Sequence, residues 1–195
     1  MRLFMTSGVK SLTMDDLSRS LGISKKTLYN YVVDKNDLVD KVLTYSCECD
    51  NGRIMAICEL GLNAIEESYE ISNYIFNHID TMHPSIIYDL QKYHLQAWEK
   101  FTHLKKQKIT ECYTKNISRG IEEGLYRDDL NIPVIVHLYT SRFDAIFDPE
   151  VFPRDRFNPA ESYLEMFRYH IRGIASEKGN KLLNKKLNLE KSKLA

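Results

Sequence analysis

The 195 residues carry 27 Lys/Arg against 27 Asp/Glu, with 43% hydrophobic and 28% charged side chains. This is the composition of an ordinary globular chain with room for one sizeable core plus a small appended domain. A net charge of zero argues against a uniformly basic nucleic-acid binder, and no apolar run approaches the roughly 18–20 residues of a membrane span. Eight Gly and five Pro are few for a β protein with many turns, so the expected fold is all-α.

Charge is distributed unevenly. Residues 1–46 hold seven Lys/Arg and five Asp/Glu, a net of +2; residues 47–171 hold thirteen and twenty, a net of −7; residues 172–195 hold seven and two, a net of +5. An acidic middle between basic ends suits a DNA-reading head on a body that DNA repels, although a basic end is also what a solvated tail looks like. Met1–Met5 is too short for a signal-peptide core, and the four cysteines suggest no disulfide framework, so the chain is expected in the cytoplasm.

Taken in chain order, the first helix is short, about two turns ending near Leu3-Phe4. Either it is clipped here, or Met1 is an internal methionine taken as the start. Thr13 with Asp16 is an N-cap with an acid at N3, which opens a second helix carrying Leu17 and Leu21 inward beside the small Ser18. Gly22 stops that helix, Ile23 plugs the corner, and Ser24 caps a third helix from Lys25 to about Tyr31. Asp34 and Asp37 repeat the capping logic for a helix beginning at Lys35. Helix, glycine turn, capped helix is the layout of a helix-turn-helix, whose second helix enters the DNA major groove. Lys25 and Lys26 sit in the first turn, where a cation suits a polyanionic partner better than it suits the helix dipole. Thr27, Tyr29, Asn30 and Tyr31 offer hydroxyls and an amide to phosphates and base edges, while Leu28 and Val32 face inward.

Beyond this head, helical periodicity continues. A long helix is expected from Lys35 to about Leu60, with a bend at Gly52, and another from Leu62 to Met82 with Tyr69 on its stripe. His83-Pro84 breaks the pattern before a short helix reaching Lys92. A long helix from Leu95 to Gly124 carries Trp98, and a turn at 124–130 follows. Asn131 and Pro133 open a helix with Ile135, Leu138, Tyr139, Arg142 and Ile146. Asn158-Pro159-Ala160-Glu161 opens a last helix with Tyr163, Leu164, Phe167, Ile171 and Ile174. Residues 180–195 are expected as a lysine-rich, partly helical tail. The expected division is 1–46 for the head, 47–178 for the body and 179–195 for the tail.

No catalytic constellation is visible, and neither a metal nor a cofactor is expected. Cys47 and Cys49 at i and i+2 project about 200° apart on a helix and cannot easily share a metal. The six histidines show no paired spacing. A body rich in Tyr, Phe and Met can enclose an apolar pocket with polar anchors, for which Tyr69, His94, Trp98 and Tyr139 are the candidates.

The run Leu3-Phe4, Gly8, Thr13-Met14-Asp15-Asp16-Leu17, Leu21-Gly22-Ile23-Ser24, Thr27-Leu28-Tyr29, Tyr31, Asp34-Lys35 and Leu38 resembles the N-terminal domain of the tetracycline-repressor (TetR) family of bacterial regulators. Specific motifs cover residues 3–42, and the helix layout extends the resemblance over nearly the whole chain. It implies a homodimeric, DNA-binding repressor with a C-terminal ligand-binding and dimerisation domain, released from a palindromic operator by a small-molecule effector. In the family, positions matching Lys25, Lys26, Thr27, Tyr29, Asn30 and Tyr31 face DNA, with Ser24 at the same edge, and those matching Thr13 and Lys35 hold phosphate. The last two helices pair with their twins in the dimer, which makes Leu138, Arg142, Ile146, Tyr163, Phe167, Ile171 and Ile174 the interface candidates. Ser18 stands where Ala is usual, and Val32-Val33 where an aromatic is usual. A helical dimer that binds a small molecule or a protein without DNA is the alternative reading; an enzyme on a helical scaffold is a further one, disfavoured by the absence of an acid–base or metal cluster.

Overall fold

The computed structural model describes residues 1–194, with side chains described through 187. Ten helices follow one another among the described residues: α1 (Arg2–Ser7), α2 (Met14–Leu21), α3 (Lys25–Tyr29), α4 (Lys35–Cys58), α5 (Ala64–Asp80), α6 (Ile86–Tyr93), α7 (Leu95–Glu122), α8 (Ile132–Ala145), α9 (Pro159–Ile174) and α10 (Glu177–Leu194). The one β feature described is an isolated antiparallel bridge between Tyr126 and Ala175. The all-α expectation holds. No described helix is long and apolar enough to cross a membrane.

The chain forms two compact units. One comprises residues 1–52 and 81–106, the other 53–80 and 107–195. The first therefore takes in α6 and the start of α7 as well as the helix-turn-helix, a division that local sequence pattern does not suggest. α4 runs as one helix through Gly52.

In the first unit, Phe4, Val9, Met14, Leu17, Leu28, Val32 and Val39 are buried together with Ile86, Ile87, Leu90 and Ala97. Leu21, expected on the core face, is 57% exposed. It is the last residue of α2 before Gly22 turns left-handed at φ 67°, so nothing packs over it as over Leu17 one turn earlier. α6 begins at Ile86 after Ser85, leaving Pro84 just outside its first turn.

In the second unit, α5 packs on α9 and α10, and α8 on α9. The core joins Ala64, Ile65 and Tyr69 to Tyr113, Ile117, Val136, Tyr139, Phe167, Ile171, Ile174 and Leu183. A polar network is embedded beside it. Asn116 Nδ2 donates to Glu67 Oε1 at 2.7 Å and to the Ala64 carbonyl at 3.0 Å, and Asn116 Oδ1 accepts from Ser68 and Tyr126, each at 2.9 Å. The Arg119 guanidinium closes on Glu67 Oε2 at 2.9 Å, so the buried carboxylate has a donor on each oxygen. Gly124, at φ 67°, stops α7, and the ring of Tyr126 lies against Gly120, where a Cβ would collide with it.

The expected tail is revised at its start. α9 ends at Ile174 with extended Ala175, and Ser176–Leu187 continues into α10, with Leu183 buried in the core. Lysines dominate the composition here, but Leu183 is buried and Leu182 and Leu187 pack beside it. The side chains of 188–195 lie outside the described residues.

Candidate nucleic-acid interface

The helix-turn-helix is held by local hydrogen bonds that its sequence specifies. Thr13 Oγ1 accepts the Asp16 N–H at 3.1 Å and the Asp16 carboxylate accepts the Thr13 N–H at 3.1 Å, a complete capping box. The Thr13 hydroxyl, which donates to the carboxylate at 2.6 Å, and the Thr13 N–H together hold the Asp16 carboxyl below the usual carboxylate range. At the other end of α2, the Ile23 N–H reaches back to the Ser18 carbonyl at 3.1 Å, which Gly22 permits by its left-handed backbone. Ser18 serves this packing as a small buried residue. Ser24 Oγ then accepts the Thr27 N–H at 3.0 Å, and only Leu28 of α3 is buried.

The remaining side chains of α3 and the turn after it are presented outward. Ser24, Lys25, Lys26, Tyr29, Asn30 and Tyr31 are exposed, Thr27 is half-buried, and Tyr31 reaches 72% exposure. Thr27 also shares its hydroxyl with Ser24 at 2.8 Å. α3 is shorter than expected, ending at Tyr29, so Asn30 caps it and Tyr31 lies beyond it. Lys25 is engaged: its ammonium pairs with Asp15 at 3.1 Å, a contact that a phosphate would have to replace. The Val32-Val33 departure resolves by side. Val32 is buried at the place of a core residue, whereas Val33 is 81% exposed and its N–H donates to Asp37 at 2.8 Å. Lys41 fixes the same turn, donating to the Tyr31 carbonyl at 2.8 Å.

The two residues matched to phosphate contacts border this surface within the same unit. Thr13 is exposed at the start of α2. Lys35, at the start of α4, is half-buried and donates to the Lys10 carbonyl at 3.4 Å; burial lowers its pKa and the charge of Asp89 opposes that effect. Asp89 is a participant that pattern reading missed. No motif links an acid in α6 to a turn 80 residues earlier, because that pairing exists only in the folded chain.

The pocket candidates do not form one cluster within either unit. Tyr69 and Tyr139 belong to the second unit, His94 and Trp98 to the first. His94 Nδ1 meets Asn36 Oδ1 at 2.6 Å, and Trp98 tilts against Phe101 at 6.0 Å between centroids. Tyr139 instead stacks on Tyr113 at 4.5 Å, with the His170 ring 4.8 Å from Tyr139 and 5.4 Å from Tyr113. In this buried cluster the Tyr113 hydroxyl and His170 Nε2 have no hydrogen-bond partner. Burial, with Arg142 nearby, pulls the His170 pKa down to about 4, so its ring is neutral at physiological pH.

The interface candidates also need correction. Ile146, Tyr163, Phe167, Ile171 and Ile174 are buried within a single chain, leaving Leu138 and Arg142 of the seven on the surface. A helix has one apolar stripe, and that of α9 is spent on α5. Other exposed apolar groups on these helices are Val134 and Tyr169, the latter under the Arg142 guanidinium at 5.6 Å.

A short capped helix that buries one leucine and presents lysine, hydroxyl and amide groups after a glycine turn defines a helix-turn-helix DNA-binding protein. Residues 1–42 match the model of the bacterial regulatory proteins, tetR family. It is similar to the HTH-type transcriptional regulator YvaF of Bacillus subtilis strain 168, 25% identical over 175 residues that cover 86% of this chain and 87% of the relative. The HTH-type transcriptional repressor KstR2 of Mycobacterium tuberculosis is 23% identical over 136 residues, 68% of each chain. The solved structure of that ketosteroid transcriptional regulator superposes with a TM-score of 0.56 at 19% identity, covering 90% of this chain and 91% of its own. FadR from Bacillus subtilis in complex with stearoyl-CoA superposes with a TM-score of 0.63 at 12% identity, covering 89% of this chain and 94% of its own. At such identities the structural likeness establishes the fold. The chain is a DNA-binding transcriptional regulator of the helix-turn-helix type.

Proposed function

We propose that this regulator is a homodimeric repressor that reads a palindromic operator with one α3 from each protomer and lets go when a small apolar molecule binds its body. The observation that carries the reading is the outward face of the Ser24-capped α3, where Lys26, Tyr29 and Asn30 stand exposed around one buried leucine. Base-edge contacts fall to Asn30 and Thr27, and phosphate contacts to Thr13, Lys26 and Lys35, with Lys25 exchanging Asp15 for a phosphate. One half-site gives limited affinity, so a helix-turn-helix protein gains by pairing two. The exposed Val134, Leu138, Arg142 and Tyr169 of α8 and α9 are the surface offered for that pairing.

Effector recognition centres on Tyr139, one of the four pocket candidates, together with Tyr113 and His170. A neutral imidazole and a phenol hydroxyl without partners, among stacked rings, favour an uncharged apolar molecule bearing an oxygen. The ligand weakens DNA binding only as far as it prefers the non-binding arrangement.

Fluorescence anisotropy with duplex from upstream of the chain's own coding region, against random duplex across a salt series, tests the DNA reading. Tight, sequence-preferring binding with two protomers or a multiple per site is expected; affinity equal to that for random duplex refutes operator recognition there. Lys35→Ala should weaken binding to all sequences and flatten the salt dependence by about one. Asn30→Ala should relax preference at particular base pairs. Identical effects of the two changes on specific and random DNA would overturn the assigned roles.

A further inference from the structure

The turn between α1 and α2 is held from a distant part of the sequence. Asp89, on α6 and 4% exposed, accepts three hydrogen bonds on one carboxylate oxygen: from the Val9 N–H at 3.0 Å, the Lys10 N–H at 2.8 Å and the Ser85 hydroxyl at 3.2 Å. The His83 N–H adds a second tie, donating to the Met5 carbonyl at 2.8 Å near the end of α1. Gly8 makes the approach possible. Its φ is 76°, and a Cβ there would lie 2.6 Å from Ser85 Oγ and 3.2 Å from the Asp89 oxygen. All these groups belong to the same compact unit.

The held turn leads directly into the phosphate-facing edge of the head. Its far end is Thr13, the N-cap of α2, and its Lys10 carbonyl receives the Lys35 ammonium at 3.4 Å. A buried carboxylate is a demanding choice for a turn anchor unless its bonds are needed, because charge-assisted bonds hold a backbone more firmly than neutral ones while an unmet buried N–H is costly. Leaving Val9 and Lys10 without an acceptor frees the turn and with it the start of α2.

We propose that Asp89 is a positioning residue for DNA binding: by fixing the 8–13 turn from α6, it sets the placement of Thr13 and Lys35 against the phosphate backbone. The inference rests on the DNA-binding reading above. It also has a sign that bare electrostatics cannot imitate. Removing a negative charge from a DNA-binding unit should by itself strengthen its attraction to phosphates, whereas loss of positioning weakens it.

Anisotropy of the full chain with a mixed-sequence duplex, titrated across a salt series, tests this with Asp89→Ala, Asp89→Asn, Lys35→Ala and the Asp89→Asn/Lys35→Ala double variant. Asp89→Ala should bind on the order of tenfold more weakly, the loss expected for about 1.4 kcal/mol, with a salt slope lower by about one. Asp89→Asn keeps one acceptor oxygen and should recover part of the affinity. Its remaining deficit should shrink in the Lys35→Ala background, since both act on one contact. Wild-type affinity and slope in Asp89→Ala would overturn the proposal. So would an affinity loss with an unchanged slope that adds fully to Lys35→Ala, because a residue that only stabilises the fold behaves that way. If circular dichroism shows Asp89→Ala unfolded, Asp89→Asn is judged by the same slope and coupling criteria. A wild-type chain without affinity for duplex DNA would overturn the DNA-binding reading itself, and this inference with it.

Discussion

Asn116→Leu removes the centre of the body's polar network at nearly constant volume. Asn116 is 3% exposed and makes four hydrogen bonds, to Ala64, Glu67, Ser68 and Tyr126. Three of those partners keep other bonds: Tyr126 still donates to the Ala64 carbonyl at 3.1 Å, and Ser68 still meets the Tyr126 hydroxyl at 3.1 Å. Glu67 is the group left short, because Oε1 loses its 2.7 Å donor while Arg119 holds Oε2. Losing a bond to a buried charge costs about 1.5–3 kcal/mol, and the weakened hydroxyl bonds add about 1. The leucine returns about 1 kcal/mol of apolar burial. The expected net loss is roughly 1.5–3 kcal/mol, which for a chain of this size lowers Tm by roughly 3–12 °C. Urea unfolding followed by circular dichroism measures the free energy, and a thermal scan measures Tm. A loss under about 1 kcal/mol at unchanged m-value would refute the role assigned to the network. Asn116→Asp, which sets a second carboxylate beside Glu67, should be worse than the leucine.

Thr13→Ala should cost about 1 kcal/mol through loss of the capping box, read by chemical denaturation, and should weaken DNA binding as well; unchanged stability would argue against the cap. His170 gives a pH dependence whose sign follows from its pKa of about 4 in the folded chain, below the ordinary 6.5. Between those values the unfolded chain takes up a proton that the folded chain refuses. Stability is therefore complete above pH 6.5 and falls as pH drops toward 4, by up to about 3 kcal/mol from this group. His170→Gln should flatten the fall, and an identical pH profile in the variant would refute the assignment. Gly179→Ala should unseat the start of α10, since a Cβ there collides with the Leu125 carbonyl oxygen; a thermal scan matching wild type would show that α10 accommodates the methyl group.

The helix-turn-helix was legible because its determinants are local. Thr13, Asp16, Gly22 and Ser24 act on amides three to five residues away, so their spacing carries the geometry. The exposed face of α3 follows from the same register. Stripe reading failed where one apolar face had two possible partners. Tyr163, Phe167, Ile171 and Ile174 read equally well as a dimer seam or as a core, and α5 claims them. The lysines around Leu183 mask its burial, and residue type alone marks Tyr69, His94, Trp98 and Tyr139 as pocket candidates without saying which of them are neighbours.

The sequence by itself determined the capped starts of α2, α3, α8 and α9 and the glycine stop of α2, because capping, turn conformation and helical period act within a few residues. Tertiary structure alone decided that Glu67 finds Asn116 and Arg119, that Tyr139 lies on Tyr113 rather than beside His94, and that Asp89 holds the amides of Val9 and Lys10. Those contacts join residues tens of positions apart. They are fixed by which apolar faces pack together, and a buried polar group then takes the partner that packing brings within reach.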